Sequence, residues 1–600
     1  MPPCSLKSVG LEARTASPLR RLATVPRANE DVAELLQEYA DLISISGGDA
    51  FKARAYEKAA RSVGGYARDI DGLDIRDLGA IPNVGKSIAE KIHEYLETGS
   101  ISAVDELRSV VPDGVRSLLS ISTLGPKKAM VIHEQLKVAS MEELLDALHE
   151  HRIRDLKGFG PKTEENILRG IQEMQRAGAR VQIGPAMDLA EEILRELREV
   201  GQVRRCDFAG SLRRMAETVG DIDLLVASEE PGPVMDAFTS MPYVQRVMAK
   251  GETKSSVLTT KGLQVDLRVV EPAVWGAALQ YFTGSKAHNV HVREIAVRKG
   301  LKLSEYGLFR AKTGKLIVAE TEEEVYEALG LPWIPPPLRE DRGEIQAALA
   351  GKLPALVREG DLKGDLHTHT NLTDGVASLE EMVETARARK LRYFAVTDHA
   401  ELLYMQRMTR EKMLAQRKRL AQLGKGGDMV LLHGTELNIQ PDGSVDWDEE
   451  FLSRFDVCVA SVHSHFNQSR REMTARIIRA VEHPSVNIIG HPTARQIGRR
   501  APIDYDMEAV FRAAARAGTA LEINSFPDRL DLRDEHVRWA GEHGVRFAID
   551  TDAHATGHLA NARFGVGTAQ RGWVEKADVI NTWPLSRLRR FLAKGRPGRG

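Results

Sequence analysis

Three aspartates in this 600-residue chain could hold metal ions for phosphoryl transfer. Asp221 and Asp223 open an apolar run that predicts a strand, and Asp266 stands in a second predicted strand. Because strand side chains alternate with period two, Asp221 and Asp223 share one face. Such close like charges are costly unless a cation neutralises them. Carboxylates on adjacent strands can hold two Mg²⁺ or Mn²⁺ ions about 4 Å apart, the arrangement for in-line phosphoryl transfer.

Residues upstream of the acidic pair favour a triphosphate as substrate. Gly210 and Ser211 would offer a backbone amide and a hydroxyl to phosphate oxygens. Arg214 would add a guanidinium, which binds phosphate with charge-assisted hydrogen bonds. A bare pair of aspartates is weak evidence, but this combination is specific to nucleotidyltransferases.

Histidine marks a second region of chemistry, since 12 of the 18 histidines lie between residues 361 and 600. Short apolar strands alternate there with helices, and ligand-type residues follow the strands, which is typical of (β/α) barrels. The strand ends read Asp365-Leu366-His367-Thr368-His369, Thr397-Asp398-His399, His433-Gly434-Thr435-Glu436, Val462-His463-Ser464-His465, Gly490-His491-Pro492 and Asp550-Thr551-Asp552-Ala553-His554.

The elements in front of these centres are helices that predict a DNA-binding region. Between residues 30 and 175 apolar positions recur at helical spacing, and three turns carry glycine followed by a helix with lysine in its first turn. This pattern resembles the helix-hairpin-helix motif, in which glycine lets the backbone approach a phosphate and the helix amides face the anion. The predicted DNA-binding residues are Gly85, Lys86, Gly125, Lys127, Gly158, Gly160 and Lys162.

Composition excludes several classes of protein. A net charge of -2 argues against a uniformly basic nucleic-acid coat, so DNA contacts must be local. Three scattered cysteines exclude a disulfide framework and a thiolate zinc finger. No apolar run approaches the roughly 18 residues of a membrane span. We expect a cytoplasmic monomer without a membrane partner. Residues 1–28 are predicted to be a disordered leader, with a transit peptide as the alternative.

The region from residue 30 to 340 resembles the family X DNA polymerases. The resemblance rests on Gly210-Ser211-Leu212-Arg213-Arg214, Gly220-Asp221-Ile222-Asp223, Tyr281-Phe282-Thr283-Gly284-Ser285 and Ser304-Glu305-Tyr306-Gly307-Leu308. It implies that Asp221 and Asp223 bind both metals, and that Asp266 completes one site and helps activate the primer 3′-hydroxyl. Lys286 departs from the vertebrate member of this family, which has an acidic residue there.

The same resemblance implies roles for further residues of the polymerase half. Ser211, Arg214 and Gly220 would hold the incoming dNTP, and Tyr281, Phe282 and Gly284 would line its sugar. Asn289 and Arg293 would face the nascent base pair and the template. Lys91 would be a lyase lysine forming a Schiff base, supported by Lys52, Tyr56 and Lys58; the alternative is that Lys91 contacts only DNA phosphate.

The histidine-rich region resembles the PHP (polymerase and histidinol phosphatase) domain. The resemblance implies a cluster of up to three metals, with Glu436 bridging two of them, and the mixed nitrogen and oxygen ligands suit Mn²⁺, Zn²⁺ or Fe²⁺. His465 and Arg495 would contact substrate phosphate. The implied ligands are His367, His369, Asp374, His399, Glu436, His463, His491, Asp552 and His554.

Together these features predict a multidomain protein of α+β and α/β class. Helical helix-hairpin-helix domains precede a nucleotidyltransferase palm and thumb, and a distorted (β/α)7 PHP barrel ends the fold. The expected segments are a leader at 1–28, a lyase-like domain at 29–105, a fingers-like domain at 106–180, a palm at 181–272, a thumb at 273–338, a linker at 339–361, the PHP domain at 362–575 and a basic tail at 576–600.

The predicted function is a DNA repair polymerase that fills short gaps and carries a metal-dependent 3′→5′ exonuclease. Its partners would be gapped or primer–template DNA and dNTPs. The resemblance to the family also implies cleavage at abasic sites as a further activity. The first alternative is a PHP phosphatase whose polymerase half binds DNA without catalysis. The second alternative is a non-catalytic scaffold that binds DNA ends.

Overall fold

The computed structural model describes most of the chain from Arg27 to Lys594. The undescribed positions inside this range are 47, 65–69, 82, 111–123, 125, 139, 178–179, 404–405 and 407. Residues 1–26 of the predicted leader therefore lie outside the described residues, whereas its last two residues already belong to the first helix, Arg27–Ile45. None of the described helices is long and apolar enough to cross a membrane.

The front of the chain is helical. Apolar side chains from Val32 to Ile171 form one continuous core, so the two predicted helical domains pack against each other. The helices span Arg27–Ile45, Ala50–Gly64, Ile75–Leu78, Lys86–Thr98, Ser102–Val110, Pro126–Leu136, Met141–His149 and Pro161–Ala177.

Two of the three predicted hairpin turns lie in the described residues. Asn83 has φ +62° and Gly158 has φ +88°, so the leading residue of both turns adopts the left-handed conformation. Gly85 then caps the helix Lys86–Thr98 with extended backbone. The second turn, with Thr123 and Gly125, lies outside the described residues.

The palm is a five-stranded sheet with its central strands parallel. In spatial order its strands are Arg205–Phe208, Asp221–Ala227, Gln264–Val270, Lys254–Thr259 and Val244–Lys250. Burial alternates along Gln264–Val270, as period two requires for a strand with one face on the core. The palm helices are Ile183–Arg198, Gly210–Arg213 and Pro231–Thr239, and Val181–Gln182 pairs with Thr218–Val219.

The thumb combines helices with a three-stranded antiparallel sheet. Its helices are Trp275–Thr283, Lys286–Arg298 and Glu322–Ala328, and its strands are Leu301–Ser304, Gly307–Arg310 and Leu316–Val318. The predicted linker is not a free connector. Leu338, Ile345 and Ala348 lie in the thumb core, and Glu344–Leu349 forms a helix, because this segment carries enough apolar side chains to pack.

The C-terminal region is a barrel of seven parallel strands in chain order, which confirms the predicted fold class. His369 N donates to the Ala553 carbonyl at 2.8 Å and brings the first strand beside the last. The strands are Gly364–Asp365, Tyr393–Val396, Val430–Asn438, Val457–Ser461, Ile488–Ile489, Ala520–Asn524 and Phe547–Asp550. The α-helices that follow or separate them are Leu379–Ala388, Arg410–Leu423, Glu449–Leu452, Arg470–Val481, Met507–Ala517, Asp534–Glu542, Ala562–Arg571 and Leu585–Leu592.

Part of the predicted basic tail belongs to the barrel. The helix Leu585–Leu592 buries Leu588 and Leu592 in the same core as Trp583 and the barrel strands. Composition alone predicts a basic tail here, because the arginines on the other face of this helix outweigh its apolar residues.

The barrel packs directly against the palm. Leu530 and Phe564 join the palm core. Arg563 pairs with Asp188 at 2.9 Å and with Glu191 at 2.7 Å. The polymerase and PHP halves therefore share an interface with both apolar and ionic contacts.

Candidate metal centres

The palm carboxylates meet where two parallel strands adjoin. Asp223 lies opposite Asp266 in the register of the two strands, and neighbouring strands are about 4.8 Å apart. Asp221 is two residues before Asp223 and shares its face. Lys254 Nζ lies 2.9 Å from Asp266 Oδ2, and Gln264 Nε2 donates to Oδ1 at 2.8 Å. The structure therefore brings the three predicted aspartates together.

The electrostatics of this group fit divalent metal. Burial and the neighbouring carboxylates of Asp221 and Asp266 raise the pKa of Asp223 to about 6, against the opposing effect of Lys254 and Arg214. The site is short of positive charge, and its oxygen donors are those that Mg²⁺ and Mn²⁺ prefer. Asp221, Asp223 and Asp266 are thus competent to hold such ions.

Gly210 sets the distance between the palm strand and the turn that is predicted to bind phosphate. It has φ +57°, and a Cβ built on it would lie 2.1 Å from Asp223 Oδ2. Ala209 N donates to the Asp223 carbonyl at 2.7 Å. Only glycine permits this approach, so Ser211 follows immediately beside the carboxylates. Gly220 is exposed directly before Asp221.

Arg214 is held in place by acceptors from the thumb side. Its Nε donates to Glu340 Oε1 at 3.0 Å, and its Nη1 donates to the Thr283 carbonyl at 2.6 Å. A Cβ on Gly284 would lie 3.2 Å from Arg214 Nη1. The predicted triphosphate arginine and the predicted sugar-lining glycine are therefore in contact.

The predicted sugar-lining aromatics are half-buried. Tyr281 and Phe282 pack edge to face with ring centroids 5.1 Å apart, and the Arg268 guanidinium lies 4.6 Å from the Phe282 centroid. Asn289 forms two side-chain hydrogen bonds. Its Nδ2 donates to the Tyr281 carbonyl at 2.7 Å, and its Oδ1 accepts from Gln280 Nε2 at 2.8 Å. It is buried, and these two bonds connect it to Gln280 and to the backbone of Tyr281.

Arg293 and Lys286 lie on the same thumb helix as Asn289. Arg293 Nε donates to the Asn289 carbonyl at 3.2 Å, and Lys286 is exposed in the first turn.

The barrel brings all nine predicted ligands to the ends of its strands. Three overlapping groups of ligands can be distinguished, and within each group the ligand atoms lie within 4.8 Å of one another. Glu436 belongs to two of these groups. The remaining two residues join through close contacts: His491 Nε2 lies 3.1 Å from Glu436 Oε1, and Asp552 Oδ1 lies 3.2 Å from His369 Nε2. The groups are His369, Asp374, His399 and His554; His367, His369 and Glu436; and His399, Glu436 and His463.

Glu436 has the geometry of a bridging ligand. Its Oε1 lies 3.1 Å from His463 Nε2 and 3.5 Å from His367 Nε2, whereas its Oε2 lies 2.9 Å from His399 Nδ1 and 3.5 Å from His369 Nε2. Burial alone would raise the pKa of Glu436, but the surrounding imidazoles hold it well below its usual value. Each carboxylate oxygen therefore serves a different set of histidines.

Buried ligand atoms that make no hydrogen bond support metal binding here. Among the described residues, His369 Nδ1, Asp374 Oδ1, His399 Nδ1 and His491 Nδ1 are buried and lack a hydrogen bond. Native proteins rarely leave such atoms unsatisfied, and a bound metal or water would satisfy them. The imidazole and carboxylate set fits Mn²⁺, Zn²⁺ or Fe²⁺.

Sequence comparison decides the family. The chain is 36% identical over 569 residues to a Bacillus subtilis (strain 168) protein named "DNA polymerase/3'-5' exonuclease PolX", covering 94% of this chain and 99% of that protein. This chain belongs to the family X DNA polymerases with a C-terminal PHP domain. The predicted resemblance is thereby confirmed.

Other matches cover separate parts of this family X chain. DNA polymerase lambda of Rattus norvegicus is 25% identical over 341 residues, covering 52% of this chain and 56% of that protein. A Thermoanaerobacter sp. (strain X514) protein named "Probable phosphatase" is 28% identical over 248 residues, covering 38% of this chain and 93% of that protein. The matching family models are Helix-hairpin-helix domain (27–101), SAM-like Helix-hairpin-helix tandem (115–173), DNA polymerase beta thumb (278–340) and PHP domain (365–526).

Two residues that contact predicted ligands of this family X barrel were not identified from the sequence. Glu522 Oε1 lies 2.6 Å from His367 Nδ1, and its Oε2 accepts from His491 N at 2.6 Å. Asn438 Oδ1 lies 2.7 Å from His463 Nδ1. Such partners fix the orientation of a ligating imidazole. The signal was present, since Glu522 is a charge inside a fully buried strand.

A different arginine from the predicted one faces the barrel cluster. Arg529 Nε lies 3.6 Å from Asp552 Oδ2, and among the described residues its buried Nη1 has no acceptor. The predicted Arg495 instead donates to Glu217 Oε2 of the palm at 2.7 Å and to the Leu530 carbonyl. Arg495 is thus an interface residue, since its side chain runs toward the palm. His465 lies on an exposed loop after His463.

One histidine at a predicted strand end is outside the cluster. His433 lies within the strand Val430–Asn438 and stacks on Phe455 with ring centroids 5.0 Å apart. Burial and the nearby Arg417 lower its pKa to about 3, so it packs as a neutral ring.

The predicted lyase and DNA-contact residues lie on the helical region of this family X chain. Lys91 is half-buried on the helix Lys86–Thr98, and Tyr56 is buried against Tyr39 with ring centroids 4.6 Å apart. Lys86 and Lys162 are exposed in the first turns of their helices. Gly125 and the side chain of Lys127 lie outside what the structure describes.

Proposed function

We propose that this chain is a DNA repair polymerase that fills short gaps and removes nucleotides from 3′ ends with its PHP barrel. The observation that carries the proposal is the coexistence of two complete ligand sets, the palm aspartates and the nine barrel ligands. The Bacillus subtilis relative, whose name contains both activities, matches 94% of this chain and supports the same conclusion.

In the palm, we assign the binding of two Mg²⁺ or Mn²⁺ ions to Asp221, Asp223 and Asp266. Such ions stabilise the attacking and leaving oxygens of an in-line displacement. The primer 3′ oxygen forms a bond to the α-phosphorus, and the bond from that phosphorus to the pyrophosphate oxygen breaks. Asp266, held by Lys254 and Gln264, would help remove the proton of the primer 3′-hydroxyl.

The remaining palm and thumb residues orient the dNTP. Gly210, Ser211, Arg214 and Gly220 would bind the triphosphate, and Gly284 with the two aromatics beside it would bound the sugar. The local contacts support these roles, because Arg214 and Gly284 touch and Gly210 abuts Asp223.

In the barrel, we assign up to three ions, Mn²⁺, Zn²⁺ or Fe²⁺, to the nine ligands. Ions of this kind activate water and stabilise the leaving oxygen of a phosphodiester. We propose that Arg529 binds the phosphate that is attacked, because its guanidinium adjoins the Asp552 carboxylate inside the cluster. Cleavage at abasic sites would use the same centre.

Gapped or primer–template DNA and dNTPs are the proposed substrates. The exposed lysines of the hairpin turns, Lys86 and Lys162, would contact the DNA backbone beside helix N-termini. Lys91 is the proposed lyase residue for a 5′-deoxyribose phosphate, and a cytoplasmic location and a monomeric state complete the proposal.

One gel separates the two centres. A 5′-labelled primer on a gapped duplex is incubated with Mn²⁺, with and without dNTPs, and with the wild type, Asp223→Ala or His399→Ala. Asp223→Ala should abolish extension only, and His399→Ala should abolish shortening only. Shortening without any extension would refute the polymerase assignment.

An unchanged primer in every lane would refute the proposal that this chain is an enzyme that acts on DNA. The PHP phosphatase would then be tested with histidinol phosphate, since the matched phosphatase-named protein aligns over 38% of this chain.

A further inference from the structure

A helix of the PHP barrel reaches the polymerase centre. We propose that Arg571, at the end of the helix Ala562–Arg571, is a positioning residue for dNTP binding, acting through Glu340 on Arg214. This inference rests on the proposed polymerase function and goes beyond it. It makes the exonuclease barrel a structural part of the nucleotide-binding site.

The contacts form a continuous chain from barrel to palm. Arg571 Nη1 donates to the Arg214 carbonyl at 2.8 Å and to Glu340 Oε1 at 2.7 Å. The same Oε1 accepts from Arg214 Nε at 3.0 Å. One carboxylate oxygen thus lies between two guanidiniums, one from each half of the molecule. Arg571 is anchored on its other side by Asp534, whose Oδ2 accepts from its Nε at 3.0 Å.

Packing holds the turn after Arg214 against the same barrel helix. Met215 has φ +57°, a conformation that a non-glycine residue adopts only when its surroundings enforce it. A Cβ built on Gly567 would lie 2.5 Å from Met215 Cε, so the helix accepts the methionine only because Gly567 has no side chain. The barrel therefore fixes both the backbone and the side chain of the Arg214 turn.

This arrangement leaves a defined part of Arg214 for substrate. Nε is committed to Glu340 and Nη1 to the Thr283 carbonyl, and among the described residues Nη2 has no protein acceptor. A guanidinium oriented before the ligand arrives binds it at lower entropic cost.

Removing Arg571 should therefore weaken dNTP binding. Glu340 would then be neutralised by Arg214 alone, which draws the guanidinium toward the carboxylate. The Arg214 carbonyl would also lose its donor. The aspartates of the palm are untouched, so the chemical step should change less than the affinity for the dNTP.

The test measures dNTP affinity without catalysis. The full chain is bound to gapped DNA in the presence of Mg²⁺, with a dideoxy-terminated primer whose last linkage is a phosphorothioate that resists the exonuclease, and the Kd of the complementary dNTP is titrated. Arg571→Gln and Glu340→Gln should each raise Kd about tenfold, the size of one charge-assisted hydrogen bond. The double variant should resemble the single ones, because residues acting through one path are not additive.

Arg563→Gln is the matched control. Arg563 lies on the same helix and also joins the barrel to the palm, through Asp188 and Glu191, but it does not contact the Arg214 turn. It should leave Kd within about twofold, since exposed ion pairs contribute little. Far-UV circular dichroism and primer shortening by the barrel verify that each variant is folded.

The outcomes are distinct. An unchanged Kd in folded Arg571→Gln and Glu340→Gln would overturn the inference while leaving the polymerase function intact. An equal rise in Arg563→Gln would also overturn it, because loosening of the interface in general would then be the cause. If Arg571→Gln does not fold, Glu340→Gln decides alone. A wild type that neither binds the dNTP nor extends a primer would refute the proposed function itself.

Discussion

The two centres handle crowded negative charge in opposite ways. The palm places three carboxylates on two strands with Lys254 pairing only Asp266; Asp221 is exposed, and burial and acidic neighbours raise the pKa of Asp223. The barrel surrounds each carboxylate with imidazoles, which hold the pKa values of Asp374, Glu436 and Asp552 well below the usual range against the effect of burial.

This difference fits the way in which each centre would bind its metal ions and its substrate. Mg²⁺ sites at phosphate-transfer centres use few carboxylates and let the substrate phosphates complete the coordination. An open palm with three acids suits that use. Six of the nine barrel ligands are buried and the other three are half-buried, and they support one another, so that site is built before a substrate arrives. We expect palm ions to exchange freely and barrel ions to remain bound during purification.

The largest expected effect comes from breaking the barrel bridge. Glu436→Gln should lower primer shortening by more than about 100-fold, because even partners behind the ligands cost about 10–100-fold. Extension should continue. Gel assays of both activities on one preparation measure the separation. Loss of extension to the same degree would contradict independent centres.

The palm offers a similar test through backbone geometry. Gly210→Ala should lower extension by about 100-fold, because a displacement of roughly 1 Å at a catalytic group costs that much. Its Cβ would meet Asp223 Oδ2 at 2.1 Å. Steady-state extension kinetics provide the measurement, and primer shortening should be unaffected.

Gly262→Ala is the matched control for this palm variant. Gly262 also has positive φ, +74°, in the same domain, but a Cβ there meets nothing within 4 Å. It carries the backbone strain without the contact and should keep extension. Equal losses in both variants would assign the effect to strain or stability rather than to Asp223.

The parts of both centres that depend on local spacing could be predicted from the sequence. The period of a strand places Asp221 with Asp223, and histidines directly after strands meet at one end of a parallel barrel. Sequence reasoning failed where the outcome depends on the path of a long side chain. Arg495 turns to the palm residue Glu217.

Packing between segments that are distant in sequence was equally invisible to local patterns. The proline-rich segment around residue 339 reads as a linker, yet Arg339 is buried against Glu322, with Nη1 to Oε1 at 2.6 Å. The basic helix Leu585–Leu592 reads as a tail, yet it covers the barrel with Leu588. Composition reports charge and proline, whereas the apolar positions between them decide the packing.

A smaller effect tests how firmly the barrel is preorganised. Glu522→Gln should lower metal affinity by about 10–100-fold, because Glu522 orients the His367 imidazole from behind. Elemental analysis after dialysis against a graded chelator series measures retained metal per chain. Asp223→Ala should retain barrel metal as the wild type does. Unchanged retention in Glu522→Gln would mean that the other ligands alone fix the site.

The smallest effect concerns the hairpin turns, which we propose hold DNA for both centres. Lys162→Gln should lower the slope of log Kd for duplex DNA against log salt by about one, the contribution of one phosphate contact. Lys390→Gln, an equally exposed lysine before the strand Tyr393–Val396 and so at the barrel end opposite His399, should leave the slope unchanged. Fluorescence anisotropy at several salt concentrations gives both slopes. If Lys390→Gln lowered the slope as much, the duplex would extend around the barrel rather than lie along the turns, and the two centres would have to contact the same DNA simultaneously.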